Sequence, residues 1–174
     1  MAEAYGKLTG KPGICMVTRG PGATNASAGV HVAHQDSTPM ILLVGQIGRD
    51  MVDREAFQEV DYRKMFEPLA KWVGQIDDIN RIPEYLSHAY HIATSGRPGP
   101  VVLALPEDML SSEAEVADAK PYVPIEAKTA PEDVARFHNA LNSAKQPVMI
   151  VGGGGWTRET TENLKSFALR NNVA

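Results

Sequence analysis

The stretch of residues 13–29 reads GICMVTRGPGATNASAG and carries the clearest indication of the fold. It begins with a short apolar run, continues through a Gly-Pro-Gly turn and ends in alanine, serine and glycine residues. An uninterrupted apolar run of this length is typical of a strand buried in a parallel sheet. The small residues after the turn predict a closely packed helix. The stretch therefore predicts a strand, a turn and a helix, which is the basic unit of an α/β fold.

The turn itself, GPGATN at residues 20–25, differs from the glycine-rich turns that bind phosphate. A P-loop needs a lysine and a hydroxyl residue after its glycines, and a dinucleotide fingerprint needs glycine where this chain has Asn25. Pro21 also removes a backbone donor and stiffens the turn. The Asn25 amide offers both a donor and an acceptor. These features suit a flat ring better than a pyrophosphate, although spacing alone leaves an ordinary strand-to-helix turn as the alternative.

Similar apolar runs recur further along the chain. They lie at residues 39–45, 72–76 and 101–105, and a helical apolar pattern beginning near Asn80 separates the last two. Strands that alternate with helices predict an α/β fold with a parallel sheet, three layers deep.

A second unit is predicted after a change in composition. Residues 111–130 contain Glu, Lys, Pro and Ser without a convincing periodicity, and residues 116–130 predict a linker. From residue 131 the sequence predicts a helix, a strand at 148–151, a glycine turn and a second helix capped by Thr157. That order is the opening of a Rossmann-like domain.

Overall composition narrows the class of protein. The chain has 174 residues, 43% of them hydrophobic, and a net charge of −4. An acidic balance argues against nucleic acid as a partner, and no apolar run is long enough for a membrane span. The single cysteine excludes a disulfide within the chain, so a cytoplasmic location is expected.

Four motifs in order carry a family resemblance. Residues 2–25 (AEAYGKLTGKPGICMVTRGPGATN), 45–46 (GQ), 56–59 (AFQE) and 94–106 (TSGRPGPVVLALP) together resemble thiamine-diphosphate-dependent enzymes. Among these, the chain is most similar to acetohydroxyacid (acetolactate) synthase, a transferase of branched-chain amino acid biosynthesis. The resemblance implies that residues 1–115 are an N-terminally truncated pyrimidine-binding domain. It also implies that residues 131–174 are the start of a C-terminally truncated central domain.

The resemblance implies a role for the turn. Pro21, Gly22 and Asn25 would line the aminopyrimidine ring of thiamine diphosphate. In the family another domain, usually of the neighbouring subunit, holds the diphosphate and Mg²⁺, so no metal ligand is expected in this chain. The family's catalytic glutamate would lie just before Met1, and the chain alone is therefore expected to be inactive. A homodimer or homotetramer is the expected assembly.

Two further groups of site residues follow from the resemblance. Phe57 and Gln58 match residues that face a 2-keto acid substrate in the synthases, with Gln58 orienting a carbonyl and Phe57 shaping the pocket. From the residues alone, a helical turn with Phe57 packed inward is the alternative. Arg97 matches a residue that contacts FAD in the family. Three glycines, Gly152, Gly153 and Gly154, would lie along the same ligand or along another nucleotide. From the residues alone, Arg97 could equally be a surface arginine.

Two positions depart from the synthase pattern. The synthases commonly have proline where this chain has Gly48, and lysine where it has Glu107. A carboxylate at the mouth of the substrate channel should disfavour an anionic keto acid. A decarboxylase, or a carboligase for another substrate such as glyoxylate or an acyl-CoA, thus remains an alternative. A cofactor-free α/β binding module is a third.

Overall fold

The computed structural model describes residues 1–174, which form two units, Met1–Ile125 and Glu126–Ala174. No helix in either unit combines the length and the apolar character that crossing a membrane requires. The helices and strands of the first unit are, in chain order, α1 (Ala2–Thr9), β1 (Gly13–Val17), α2 (Pro21–Gln35), β2 (Met40–Gln46), α3 (Tyr62–Phe66), β3 (Trp72–Gln75), α4 (Ile82–Thr94), β4 (Pro100–Pro106) and α5 (Glu107–Leu110).

The four strands form one parallel sheet in the order β1-β2-β4-β3. The two central strands are the most buried, and every residue of β4 is buried. Burial on both faces explains why these strands read as continuous apolar runs instead of alternating patterns. The prediction of an α/β fold with a parallel sheet is confirmed.

Helices cover both faces of the sheet and complete three layers. On one face, residues of α2 and α3 such as Val30 and Phe66 pack against Leu42 and Val102. On the other face, the small residues Ala89 and Ala93 of α4 bring that helix close to Ile41 and Leu103. The pattern predicted for α4 is confirmed, although a 3₁₀ turn at Ile79–Arg81 precedes its first α-helical residue.

All four strands point the same way, so their carboxyl ends share one edge of the sheet. The turn after β1, the long segment after β2 and α5 after β4 all begin at this edge. In open parallel sheets, ligands bind in the crevice outside the carboxyl ends of the strands. This edge therefore positions the candidate site.

The first part of the predicted linker packs on the first unit. The ring of Tyr122 stacks on that of Tyr90 in α4, with the ring centroids 4.9 Å apart. Residues 116–122 thereby flank an apolar groove on α4. Aromatic stacking gives this proline-containing segment a fixed place that its composition did not indicate.

The second unit contains α6 (Pro131–Ser143) and α7 (Arg158–Asn171). The rings of Phe137 and Phe167 join the two helices with centroids 5.9 Å apart. Thr157 caps α7 as predicted, because its hydroxyl accepts a hydrogen bond from the Thr160 N–H at 3.1 Å.

The strand predicted at residues 148–151 is wrong. This segment has no regular secondary structure, and Ile150 is 95% exposed. A strand needs a neighbour to take up its backbone hydrogen bonds. Only Met149 N–H to Ala174 O and Ala174 N–H to Pro147 O supply such bonds here, at 2.8 and 3.1 Å. The apolar run therefore forms no strand, because these two backbone hydrogen bonds are too few to build a ladder.

Candidate functional site

The Gly-Pro-Gly turn joins β1 to α2 through an unusual backbone at Gly20. Its φ of 58° and ψ of −108° form a combination that is open essentially to glycine. The buried Gly20 N–H donates a hydrogen bond to the Tyr62 hydroxyl at 2.7 Å. Pro21 has no N–H, so two backbone donors that a phosphate loop would use are removed from this turn. This geometry agrees with the sequence-based preference for a ring over a phosphate.

The rest of the turn leaves its predicted ligand-facing residues accessible. A Cβ atom added to Gly22 would lie 2.9 Å from Thr18 Cγ2 and 3.2 Å from Val17 Cβ, so glycine lets α2 start directly against β1. Pro21 and Asn25 are both exposed. The three residues therefore form a short, rigid surface at the carboxyl edge of the sheet.

The loop that carries Phe57 and Gln58 lies against this turn. A Cβ atom added to Gly20 would be 2.7 Å from Gln58 Cβ and 3.2 Å from Gln58 O. The structure thus places Gln58, which is predicted to contact substrate, against Gly20, the residue directly before the predicted pyrimidine-contacting Pro21 and Gly22. Phe57 is 78% exposed and lies outside any helix, so the alternative of an inward-packed Phe57 is wrong.

The loop backbone is held in a conformation that side chains disfavour. Asp53, Glu55 and Gln58 all have positive φ, between 53° and 65°. The Glu59 carboxylate accepts two hydrogen bonds from the loop backbone. Its Oε1 accepts from Asp53 N–H at 2.8 Å, and its Oε2 accepts from Ala56 N–H at 2.9 Å. Sequence reasoning included Glu59 in a motif but gave it no role, because its partners depend on the loop conformation.

Two other buried side chains connect the loop and the residues after it to their surroundings, Gln46 through Val60 and Tyr62 through Gly20. The buried Gln46 at the end of β2 donates from Nε2 to Val60 O at 2.9 Å, while its Oε1 accepts from Ile47 N–H at 2.9 Å. Tyr62 is 2% exposed, and burial raises the pKa of its hydroxyl. Tyr62 was not predicted from the sequence, because a helix of only five residues is too short to give a periodic apolar pattern.

The two departures from the synthase pattern lie side by side. Glu107 forms an ion pair with Arg19, with Nη1 and Oε2 2.5 Å apart, and a Cβ on Gly48 would lie 3.8 Å from Glu107 Oε1. Arg19 directly precedes the turn. The carboxylate therefore does not stand alone at this edge, since the Arg19 guanidinium offsets its charge.

The site is an open wall instead of an enclosed pocket. A cleft lined in part by Gln46, Glu59 and Tyr62 has a volume of about 170 Å³, which is below the 300–1,000 Å³ typical of ligand pockets. None of the predicted site residues lines it. No group of three or more His, Cys, Asp or Glu side chains is placed to hold a metal ion.

Arg97, which is predicted to contact FAD, lies away from the turn within the first unit. Arg97 precedes β4 and so lies at the opposite edge of the sheet from the turn. Its Nε donates to Ser37 Oγ at 2.7 Å and its Nη2 to Gln35 O at 3.1 Å, which caps the C-terminal end of α2. Glycines 152 to 154, in the second unit, are exposed, and no other atom lies within 4 Å of a Cβ added to any of them. Their contact with FAD stays a prediction.

Comparison with known proteins agrees with the motifs. Residues 1–65 match the family described as thiamine pyrophosphate enzyme, N-terminal TPP binding domain. The chain is 36% identical over 172 residues to the acetolactate synthase large subunit of Corynebacterium glutamicum, covering 96% of this chain and 27% of that protein. It is 37% identical over 180 residues to the acetolactate synthase large subunit of Haemophilus influenzae, and the match covers 99% of this chain and 31% of that protein. It is 39% identical over 157 residues to the acetolactate synthase large subunit of Lactococcus lactis, and the match covers 88% of this chain and 27% of that protein.

The chain thus spans between about a quarter and a third of the length of the curated relatives that it matches. The resemblance inferred from the motifs is confirmed.

Proposed function

Since the chain is related over nearly its whole length to thiamine-diphosphate-dependent acetolactate synthases, we propose that it supplies one wall of such an active site. The complete enzyme would decarboxylate one 2-keto acid and condense the product with a second. The contact between Gly20 and Gln58 carries this proposal, because it joins the pyrimidine-facing turn to the substrate-facing loop.

The residues of the turn fit the aminopyrimidine ring. Pro21 and Gly22 offer a flat, rigid surface for the ring face, and Asn25 can donate to or accept from its edge. When bound, thiamine diphosphate supplies the carbon nucleophile that attacks the keto acid. Gln58 would orient the substrate carbonyl by donating from its amide, and Phe57 would exclude water from the reacting carbon.

Further ligands and the assembly belong to the same proposal. Mg²⁺ would be held with the diphosphate by residues outside this chain, in agreement with the open wall described above. FAD would contact Arg97 and the glycines at 152–154. A homodimer or homotetramer would place a second subunit over the open wall, and the location would be cytoplasmic.

A second candidate is a related enzyme with a different substrate. The adjacent Gly48 and Glu107 favour it, because both differ from the synthase pattern and the carboxylate competes with an anionic substrate for Arg19. A decarboxylase, or a carboligase that uses glyoxylate or an acyl-CoA, would fit this chemistry.

The product of the complete open reading frame, supplied with thiamine diphosphate, Mg²⁺ and FAD, provides the test. Formation of acetolactate from pyruvate supports the carboligase. Release of CO₂ without condensation, or turnover only with glyoxylate or an acyl-CoA, supports the second candidate. Failure to bind thiamine diphosphate by calorimetry contradicts both and favours a cofactor-free binding module.

A further inference from the structure

Glu59 is the centre of the loop that presents Phe57 and Gln58. Both of its carboxylate oxygens accept backbone N–H groups, from Asp53 and Ala56, and its own N–H donates to Ala56 O at 2.9 Å. Hydrogen bonds to an ionised acceptor are stronger than those between neutral groups. A single side chain thus ties the start and the middle of the loop to its end.

The loop needs these hydrogen bonds because its backbone adopts unfavourable φ angles. Three non-glycine residues within six positions have positive φ, and each such residue has an intrinsic preference for other conformations. The last of them, Gln58, packs its backbone against Gly20. Without the carboxylate, the loop would relax toward ordinary φ values and Gln58 would leave the turn.

We infer that Glu59 is a positioning residue, which fixes the loop of residues 53–58 so that Gln58 stays against the cofactor-facing turn. The catalytic consequence rests on the proposed function, whereas the structural role does not. The inferred role of Glu59 is to hold the loop, since each of its carboxylate oxygens accepts a hydrogen bond from the loop backbone.

The chain offers a matched control. Glu55 lies in the same loop with positive φ and an exposed side chain. The substitution Glu55→Gln removes one negative charge from the loop, as Glu59→Gln does, but it leaves the two hydrogen bonds of Glu59 in place. Any difference between the two variants therefore reports on those bonds and not on charge.

The structural test is amide hydrogen exchange by NMR on the 174-residue chain. In Glu59→Ala, the Asp53 and Ala56 amides should exchange on the order of tenfold faster than in wild type, as expected for losing a charge-assisted bond. Glu59→Gln, which keeps one acceptor oxygen, should lie between, and Glu55→Gln should match wild type. Equal exchange in Glu59→Ala and Glu55→Gln would overturn the inference. Unchanged exchange in the strands of the sheet confirms that the variants fold.

The catalytic test uses the complete gene product. Glu59→Ala should lower kcat for carboligation on the order of tenfold, whereas Glu59→Gln should recover part of it and Glu55→Gln should have wild-type kinetics. Faster exchange with unchanged kcat would overturn the positioning role. If the wild-type enzyme makes no carboligation product, the proposed function fails instead, and hydrogen exchange still decides whether Glu59 holds the loop.

Discussion

Replacing Gly20 with alanine tests the contact on which the site depends. The new side chain would occupy a backbone region that is essentially closed to it, at a cost of roughly 1–3 kcal/mol. Its Cβ would also lie 2.7 Å from Gln58 Cβ, well inside the usual contact distance. Overpacking of this kind typically costs about 1–3 kcal/mol. Together the two effects should lower the free energy of unfolding by roughly 2–6 kcal/mol.

Gly10→Ala is the matched control. Gly10 has a φ of 69°, but a Cβ there would meet no atom within 4 Å. Only the backbone cost applies, about 1 kcal/mol. Urea unfolding should be followed by the fluorescence of Trp72 in a Trp156→Phe background, which reports on the first unit alone. If Gly20→Ala is no more destabilising than Gly10→Ala, the packing of Gln58 against the turn is not as described.

Three further substitutions probe the surroundings of the site. Tyr62→Phe should lower the free energy of unfolding by about 1–2 kcal/mol, because it leaves the buried Gly20 N–H without an acceptor. Since burial raises the folded-state pKa of Tyr62, wild-type stability should fall as pH rises above about 10, where only the unfolded chain loses the phenol proton. Urea titrations from pH 8 to 11 check this, and an identical slope in Tyr62→Phe counts against it. Arg97→Ala should cost about 1 kcal/mol in the cofactor-free chain, because the α2 cap is lost; an unchanged urea midpoint would mean that the cap contributes nothing. Glu107→Gln in the complete enzyme should lower KM for pyruvate about two- to fivefold by releasing an exposed ion pair, and a KM that rises or stays the same refutes competition for Arg19.

The sequence predicted the parts of the fold that depend on local pattern. The apolar runs at β2 and β4 and the small residues of α2 and α4 carry their own signal, since burial on one or both faces dictates residue type. The strand at residues 148–151 was wrong because a strand also needs a partner, which no local pattern supplies.

The site was predictable only in part, for a similar reason. The motif residues of the turn and loop could be named, but their contact through Gly20 and Gln58 depends on positive φ values along the loop. Glu59 and Tyr62 act through hydrogen bonds to the backbone of residues up to 42 positions away. Arg97 was expected to contact a ligand, which stays a prediction, and the structure shows that it caps α2.

The turn at residues 20–25 is proposed to form a wall for the pyrimidine ring, and a crystal structure of the complete gene product with thiamine diphosphate tests this proposal most directly. The aminopyrimidine should lie within about 4 Å of Pro21 and Gly22, with Asn25 in hydrogen-bond reach and Gln58 still packed on Gly20. A diphosphate bound at this turn, or a pyrimidine ring bound away from it, would contradict the claim.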